Sequence, residues 1–189
     1  MLKYIVPRIP LAHLPELLGV AIAGALIAGC YGVLHDQITF SIGPGYFYNF
    51  KFHQFSYADF GFSDRIFVSI IGFLATWRVG AIGGWILARR ILWTCPRRTA
   101  YRRIGVGFSI VFGAAALAGI FGYLYGLWRG PDADYSAWGP TLQYYRVTDV
   151  WPFMRVGYIH NAGYIGALVG VLLTYVAIRP GAVRDGDST

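Results

Sequence analysis

Charge is what this sequence lacks most. Asp, Glu, Lys and Arg make up 13% of its 189 residues, about half the roughly 25% usual in a soluble domain. So little charge cannot coat a water-soluble globule, which excludes a cytosolic enzyme and a disordered tail alike. Cysteine is scarce as well. Cys30 and Cys95 are the only two, too few for a disulfide framework. The chain holds no Gly-rich phosphate loop, no nucleophile elbow and no paired catalytic carboxylates, so an enzyme is the less expected reading. Acids are few, 9 against 16 basic residues. The positive excess flanks apolar runs rather than forming a basic patch, so no nucleic-acid partner is expected.

What is present is apolar. Hydrophobic residues make up 56% and aromatics 17%, with 25 glycines, a composition of close-packed helices with aromatic belts in a lipid bilayer. About 20 mostly apolar residues cross the hydrocarbon core. Four runs qualify, at about 14–34, 66–88, 104–127 and 156–178. They are too long for strands and lack period-two alternation. The expected fold is a single all-α membrane domain, a four-transmembrane-helix bundle.

Orientation follows from the arginines. The connection 89–103 carries Arg89, Arg90, Arg97, Arg98, Arg102 and Arg103 and no acid, which places it in the cytoplasm by the positive-inside rule. Both termini are then cytoplasmic, with Lys3, Arg8, Arg179 and Arg184. The outer loops, 35–65 and 128–155, hold only Lys51, Arg65, Arg129, Arg146 and Arg155. Cys95 and Cys30 fall near opposite faces of the membrane and are not expected to pair.

Lys3 and Arg8 precede an apolar run ending Ile27-Ala28-Gly29-Cys30, a tetrapeptide similar to a bacterial lipobox. Pro7, Pro10 and Pro15 and the length of the stretch favour a retained helix over cleavage and lipidation of Cys30. Residues 3–16 are expected to lie along the inner interface, and the polar tail after Pro180 to be mobile.

Lipid offers no hydrophobic contrast between helices, so small residues and polar contacts must join them. Gly24 and Ala28, Gly119, Gly122 and Gly126, and Gly163, Gly166 and Gly170 recur at helical spacing. In the first outer loop, Ile38, Phe40 and Ile42 alternate with polar residues, as do Tyr48, Phe50 and Phe52, around Gly43-Pro44-Gly45. This predicts a short extracytoplasmic β-hairpin-like loop resting its aromatic face on the bundle or the interface.

Residues 31–52, YGVLHDQITFSIGPGYFYNFKF, together with residues 159–168, IHNAGYIGAL, resemble a family of small, uncharacterised bacterial integral membrane proteins. In that family a His-Asp-Gln-x-Thr segment follows the first span. A proline turn, a Tyr-Phe pair and Phe-Lys-Phe come next, and a His-Asn pair opens the last span. The two segments together hold 32 of the 189 residues. Gly45 stands where the family pattern has an acid, so any ligand or proton-carrier role of that acid is missing here. The resemblance implies the cytoplasmic (inner) membrane of a bacterium and a four-helix form, and it supplies no activity.

The same residues have chemistry of their own. His35 and Asp36 leave the first span, His53 lies in the following loop, and His160 sits four residues into the last span, roughly 6 Å below its mouth. The topology puts all four on one side of the membrane. They are candidate ligands for Zn²⁺ or Cu²⁺, with His35 and His160 alternatively axial to a haem. A structural polar network that also takes in Gln37 and Asn161 is the competing reading. Arg78 lies near the middle of the second run, where a guanidinium costs at least about 2.5 kcal/mol on insertion scales; it marks either a ligand or partner contact or pairing with carbonyls or tyrosine hydroxyls inside the bundle. Asp132 and Asp134 read as a solvated turn. These features favour a non-catalytic accessory or structural subunit beside a larger membrane complex. The alternative is a metal- or haem-binding membrane protein using its outer-face histidines.

Overall fold

The computed structural model of the chain describes residues 11–178. Four long helices dominate it: α1, Leu14–Ile42; α2, Asp64–Ile91; α3, Arg97–Arg129; and α4, Val150–Ala177. Each is long and apolar enough to cross a membrane. Helices are the expected solution there, because hydrocarbon offers nothing to bond a free backbone N–H or C=O. Residues 3–10 of the expected interfacial segment, Arg179, Arg184 and the polar tail lie outside the described residues.

All four helices run past their apolar stretches. The extension decides the fate of the first outer loop. Among the described residues there is no strand, and the expected β-hairpin is not formed. Residues 38–42 are instead the last turn of α1. Residues 44–54 form three short helical pieces, Pro44–Tyr46, a π-type turn at Phe47–Lys51, and Phe52–Gln54. The alternation that suggested strands has a second solution at helical spacing. Asp36, Thr39 and Phe40 are buried on one face of α1, while Ile38 is 62% exposed on another. A lone two-stranded hairpin would have left an unpaired edge and been marginal by itself. Continuing the helix satisfies each backbone group in turn.

Gly43 ends α1 where its backbone meets α4. An added Cβ would come 2.6 Å from the Pro152 carbonyl oxygen, so no other residue fits that approach. Arg155 Nη2 donates to the freed Ile42 carbonyl at 3.0 Å. Asn49 Nδ2 donates to Tyr145 O at 3.0 Å, tying the cap 44–54 to the connection before α4. In the other connection on this side, Asp134 is exposed and accepts from the Ser136 amide at 2.8 Å. That bond holds its carboxyl below the usual range and makes it part of a turn.

The bundle is built from two tight pairs, α1 with α2 and α3 with α4. In the first, Gly24 lies on Gly80 and Gly32 on Gly72, with Gly84 against Val20. Thr76 Oγ1 crosses to donate to Ala28 O at 2.7 Å. In the second, Gly122 meets Tyr158 and Ala162, Gly166 meets Ala114, and Gly170 meets Val111. Thr174 Oγ1 donates to Gly107 O at 3.2 Å. Of the small residues picked out from sequence, Gly119 and Gly163 stand further from their neighbours. Gly80 and Gly84 of α2 serve the contact with α1.

The two pairs meet at their ends. Leu17, Ile91, Ile104, Phe108 and Ile178 plug the arginine-rich end, where Arg97 pairs with Glu16 at 2.6 Å. Phe40, Tyr46, Phe47, Val68 and Phe153 plug the other. Cys30 and Cys95 are both free thiols. Cleavage before Cys30 would remove Gly24 and Ala28, and with them the contact with Gly80.

Candidate metal centre

The prolongation of α1 beyond its apolar run carries His35 and Asp36 inward, and α4 brings His160 to meet them. His35 Nδ1 lies 3.1 Å from Asp36 Oδ1, and His160 Nε2 lies 3.9 Å from the same oxygen. One ligand atom from each of the three falls within 4.8 Å of the others. Asp36 and His160 are each only 3% exposed. The rings of His35 and His160 meet edge to face with centroids 4.7 Å apart. Tyr46 stacks on His160 at 5.1 Å, and fully buried Phe47 closes over it from the cap.

Two buried polar atoms here, Asp36 Oδ2 and His160 Nε2, have no hydrogen-bond partner among the described residues. Burying such groups unpaired is costly, and a cation between them would remove the cost. Zinc binds imidazole nitrogen and carboxylate oxygen at about 2.0–2.2 Å in tetrahedral geometry, which sets its ligand atoms roughly 3.4 Å apart. The separations of 3.1 and 3.9 Å bracket that value. The donor set of two imidazoles and one carboxylate suits Zn²⁺ or Cu²⁺ and leaves a coordination position for another ligand. The close ring contact leaves no room for a porphyrin between His35 and His160, so axial ligation of a haem by this pair does not fit.

His53 stands apart. It is exposed in the turn Phe52–Gln54, because that turn sends Phe52 inward onto Phe67, ring centroids 4.7 Å apart. The inward position next to it belongs to Lys51, which is 4% exposed and lines the same cavity as His35, Asp36 and His160. Burial pushes the Lys51 ammonium below the usual lysine range, opposed by the Asp36 carboxylate. In the sequence Lys51 stands out only as a loop charge within Phe-Lys-Phe. A usable signal was present: 14 of the 16 basic residues are arginine, and this is one of two lysines. Replacing His53 by alanine is expected to leave metal stoichiometry and affinity unchanged within twofold, as read by titration of the purified variant.

The remaining candidates go elsewhere. Gln37 ties α1 to the start of α2, donating to Arg65 O at 2.7 Å and Ser69 Oγ at 2.9 Å. Asn161 is exposed and joins no network with Gln37. Arg78 is exposed on the outside of the bundle, its guanidinium 5.5 Å from the ring centroid of its neighbour Trp77. Among the described residues it meets no carboxylate. Comparison of the chain with protein-family models, curated proteins and solved structures finds no match in any of the three.

Proposed function

We propose that this is a metal-binding integral membrane protein of the bacterial cytoplasmic membrane, with one divalent ion held by His35, Asp36 and His160. The arginine-rich connection faces the cytoplasm in this reading, and the metal centre faces outward. The observation that carries it is the pair of unsatisfied buried ligand atoms, Asp36 Oδ2 and His160 Nε2, within a three-residue donor set. A purely structural network would be expected to bond those atoms. The test is titration of chelator-treated, detergent-purified protein with Zn²⁺ and Cu²⁺, followed by metal analysis after desalting. One equivalent of either ion is expected. Protein that retains neither ion, with His35 and His160 free of chemical-shift change, overturns the reading.

A second reading, an accessory subunit docked on a larger complex, is favoured by Arg78. The residue lies midway along α2 and points away from the bundle. A guanidinium at that depth against lipid is costly and calls for a partner carboxylate. Arg78→Leu is expected to leave the thermal stability of the isolated protein equal or higher, because no acceptor inside the bundle is lost. The same substitution should remove any membrane protein that co-purifies in mild detergent. Destabilisation of the isolated protein by Arg78→Leu would count against docking.

A further inference from the structure

Between the two helix pairs lies a narrow cleft of about 210 Å³, small beside the roughly 300–1,000 Å³ of pockets that enclose a drug-sized ligand. Its charged and imidazole side chains are gathered at the ends. His35, Asp36, Lys51 and His160 stand at one, and Arg90 at the other. Arg90 is committed there, donating to Tyr175 O at 3.0 Å with its guanidinium 3.6 Å from the Tyr175 ring centroid. The middle is walled by small and apolar residues, among them Ala28, Ala75, Gly83, Phe112 and Ala167.

The back of the cleft is closed by α1 and α3, where Tyr31 packs on Phe112 at 5.2 Å. Its mouth lies between α2 and α4, which make little direct contact. Val79 and Ile86 on one lip and Tyr164, Val171 and Tyr175 on the other both line the cleft and are exposed. In a bilayer this mouth opens onto acyl chains. From His160 to Thr174 the cleft follows α4 for 14 residues, about 21 Å, more than the roughly 15 Å depth of one leaflet's hydrocarbon.

We propose that this cleft receives a single-chain lipid with a compact anionic oxygen head, a carboxylate or a phosphate monoester. The head lies at Lys51 and the His35–Asp36–His160 centre, and the chain runs toward Arg90. The inference rests on the metal reading above and names its ligand class. A divalent ion on one carboxylate and two neutral imidazoles keeps a net positive charge, and Lys51 lines the same space. A negatively charged head answers both, whereas a neutral head leaves buried charge uncompensated. Tyr46 and Phe47 roof the cluster and are themselves buried, which excludes a bulky zwitterionic headgroup. The mouth admits the chain sideways without exposing it to water.

The test uses protein in nanodiscs of neutral phosphatidylcholine, with labelled palmitate, hexadecyl phosphate and hexadecanol. Each is measured with zinc loaded and after chelation. One equivalent of at least one anion should bind ten times more tightly than hexadecanol, and chelation should weaken it tenfold. Gly83→Phe fills the cleft from a position whose added Cβ meets nothing within 4 Å. It should abolish lipid binding while keeping zinc stoichiometry, which also reports that the variant is folded. Hexadecanol binding as tightly as the anions, anion binding indifferent to chelation, or Gly83→Phe binding palmitate like wild type overturns the proposal. Zinc bound without saturable lipid overturns the lipid and leaves the metal centre standing. Absence of zinc binding overturns the centre and the inference together.

Discussion

His160→Ala should weaken zinc binding by more than about 100-fold, since loss of a group that merely orients a ligand already costs 10–100-fold. Asp36→Asn should do nearly as much. It keeps the shape of the side chain while removing the only carboxylate in the donor set, and with it the charge that offsets the ion. A stability measurement gives an independent readout. A metal that binds only the folded protein stabilises it by about 2.7 kcal/mol at a concentration of 100 Kd. Zinc should therefore raise the unfolding temperature of the wild-type protein and leave both variants where they stand. His160 also stacks on Tyr46, so His160→Ala should lower the metal-free unfolding temperature. Asp36→Asn keeps that stacking and tests the ligand role alone. Equal zinc affinity in wild type and Asp36→Asn would remove the centre as drawn.

Gly72→Val carries the largest expected loss of stability. An added Cβ at Gly72 meets the Gly32 carbonyl carbon at 2.6 Å and the Val33 amide nitrogen at 2.9 Å. Both are backbone atoms, so no rotamer change relieves the clash and α1 and α2 must separate. Overpacking of this kind costs about 1–3 kcal/mol. Separation also weakens the Thr76 bond to α1, 2.7 Å long. Gly113→Ala is the control, because an added Cβ there meets nothing within 4 Å. It should change stability by less than about 0.5 kcal/mol. The measurement is reversible unfolding in mixed detergent micelles. Separation of α1 from α2 also shifts the turn that holds His35 and Asp36, so Gly72→Val should lose zinc affinity too. A Gly72→Val protein as stable as Gly113→Ala would show that the α1–α2 contact is looser than the backbone spacing indicates.

The first outer loop is helical rather than a hairpin for a reason that lies in its residues. Ile38, Phe40 and Ile42 satisfy a period of two, but Asp36, Thr39 and Phe40 satisfy a helical period equally well. In so short a segment the pattern cannot choose between them. What chose was the continuation of α1, already helical, up to Gly43, where the approach of Pro152 admits only glycine. The gathering of His35, Asp36 and His160 was legible because topology put them at one end of the molecule. His53 shared that end and failed to join, since Phe52 took the packed position beside it.

The sequence by itself determined depth: which four stretches are apolar enough to cross, that the arginines of 89–103 share one end, and that His35, Asp36 and His160 share the other. Only the tertiary structure decided direction around each helix axis: Lys51 turned in to the cluster, Arg78 out from the bundle, Asn161 away from Gln37. The reason is physical. In a helix apolar on every side, hydropathy fixes how far a residue lies from the membrane surface but not which way it points. That rotation is set by where backbones touch, at Gly24 on Gly80, Gly32 on Gly72 and Gly166 on Ala114, and such contacts exist only once two helices have met.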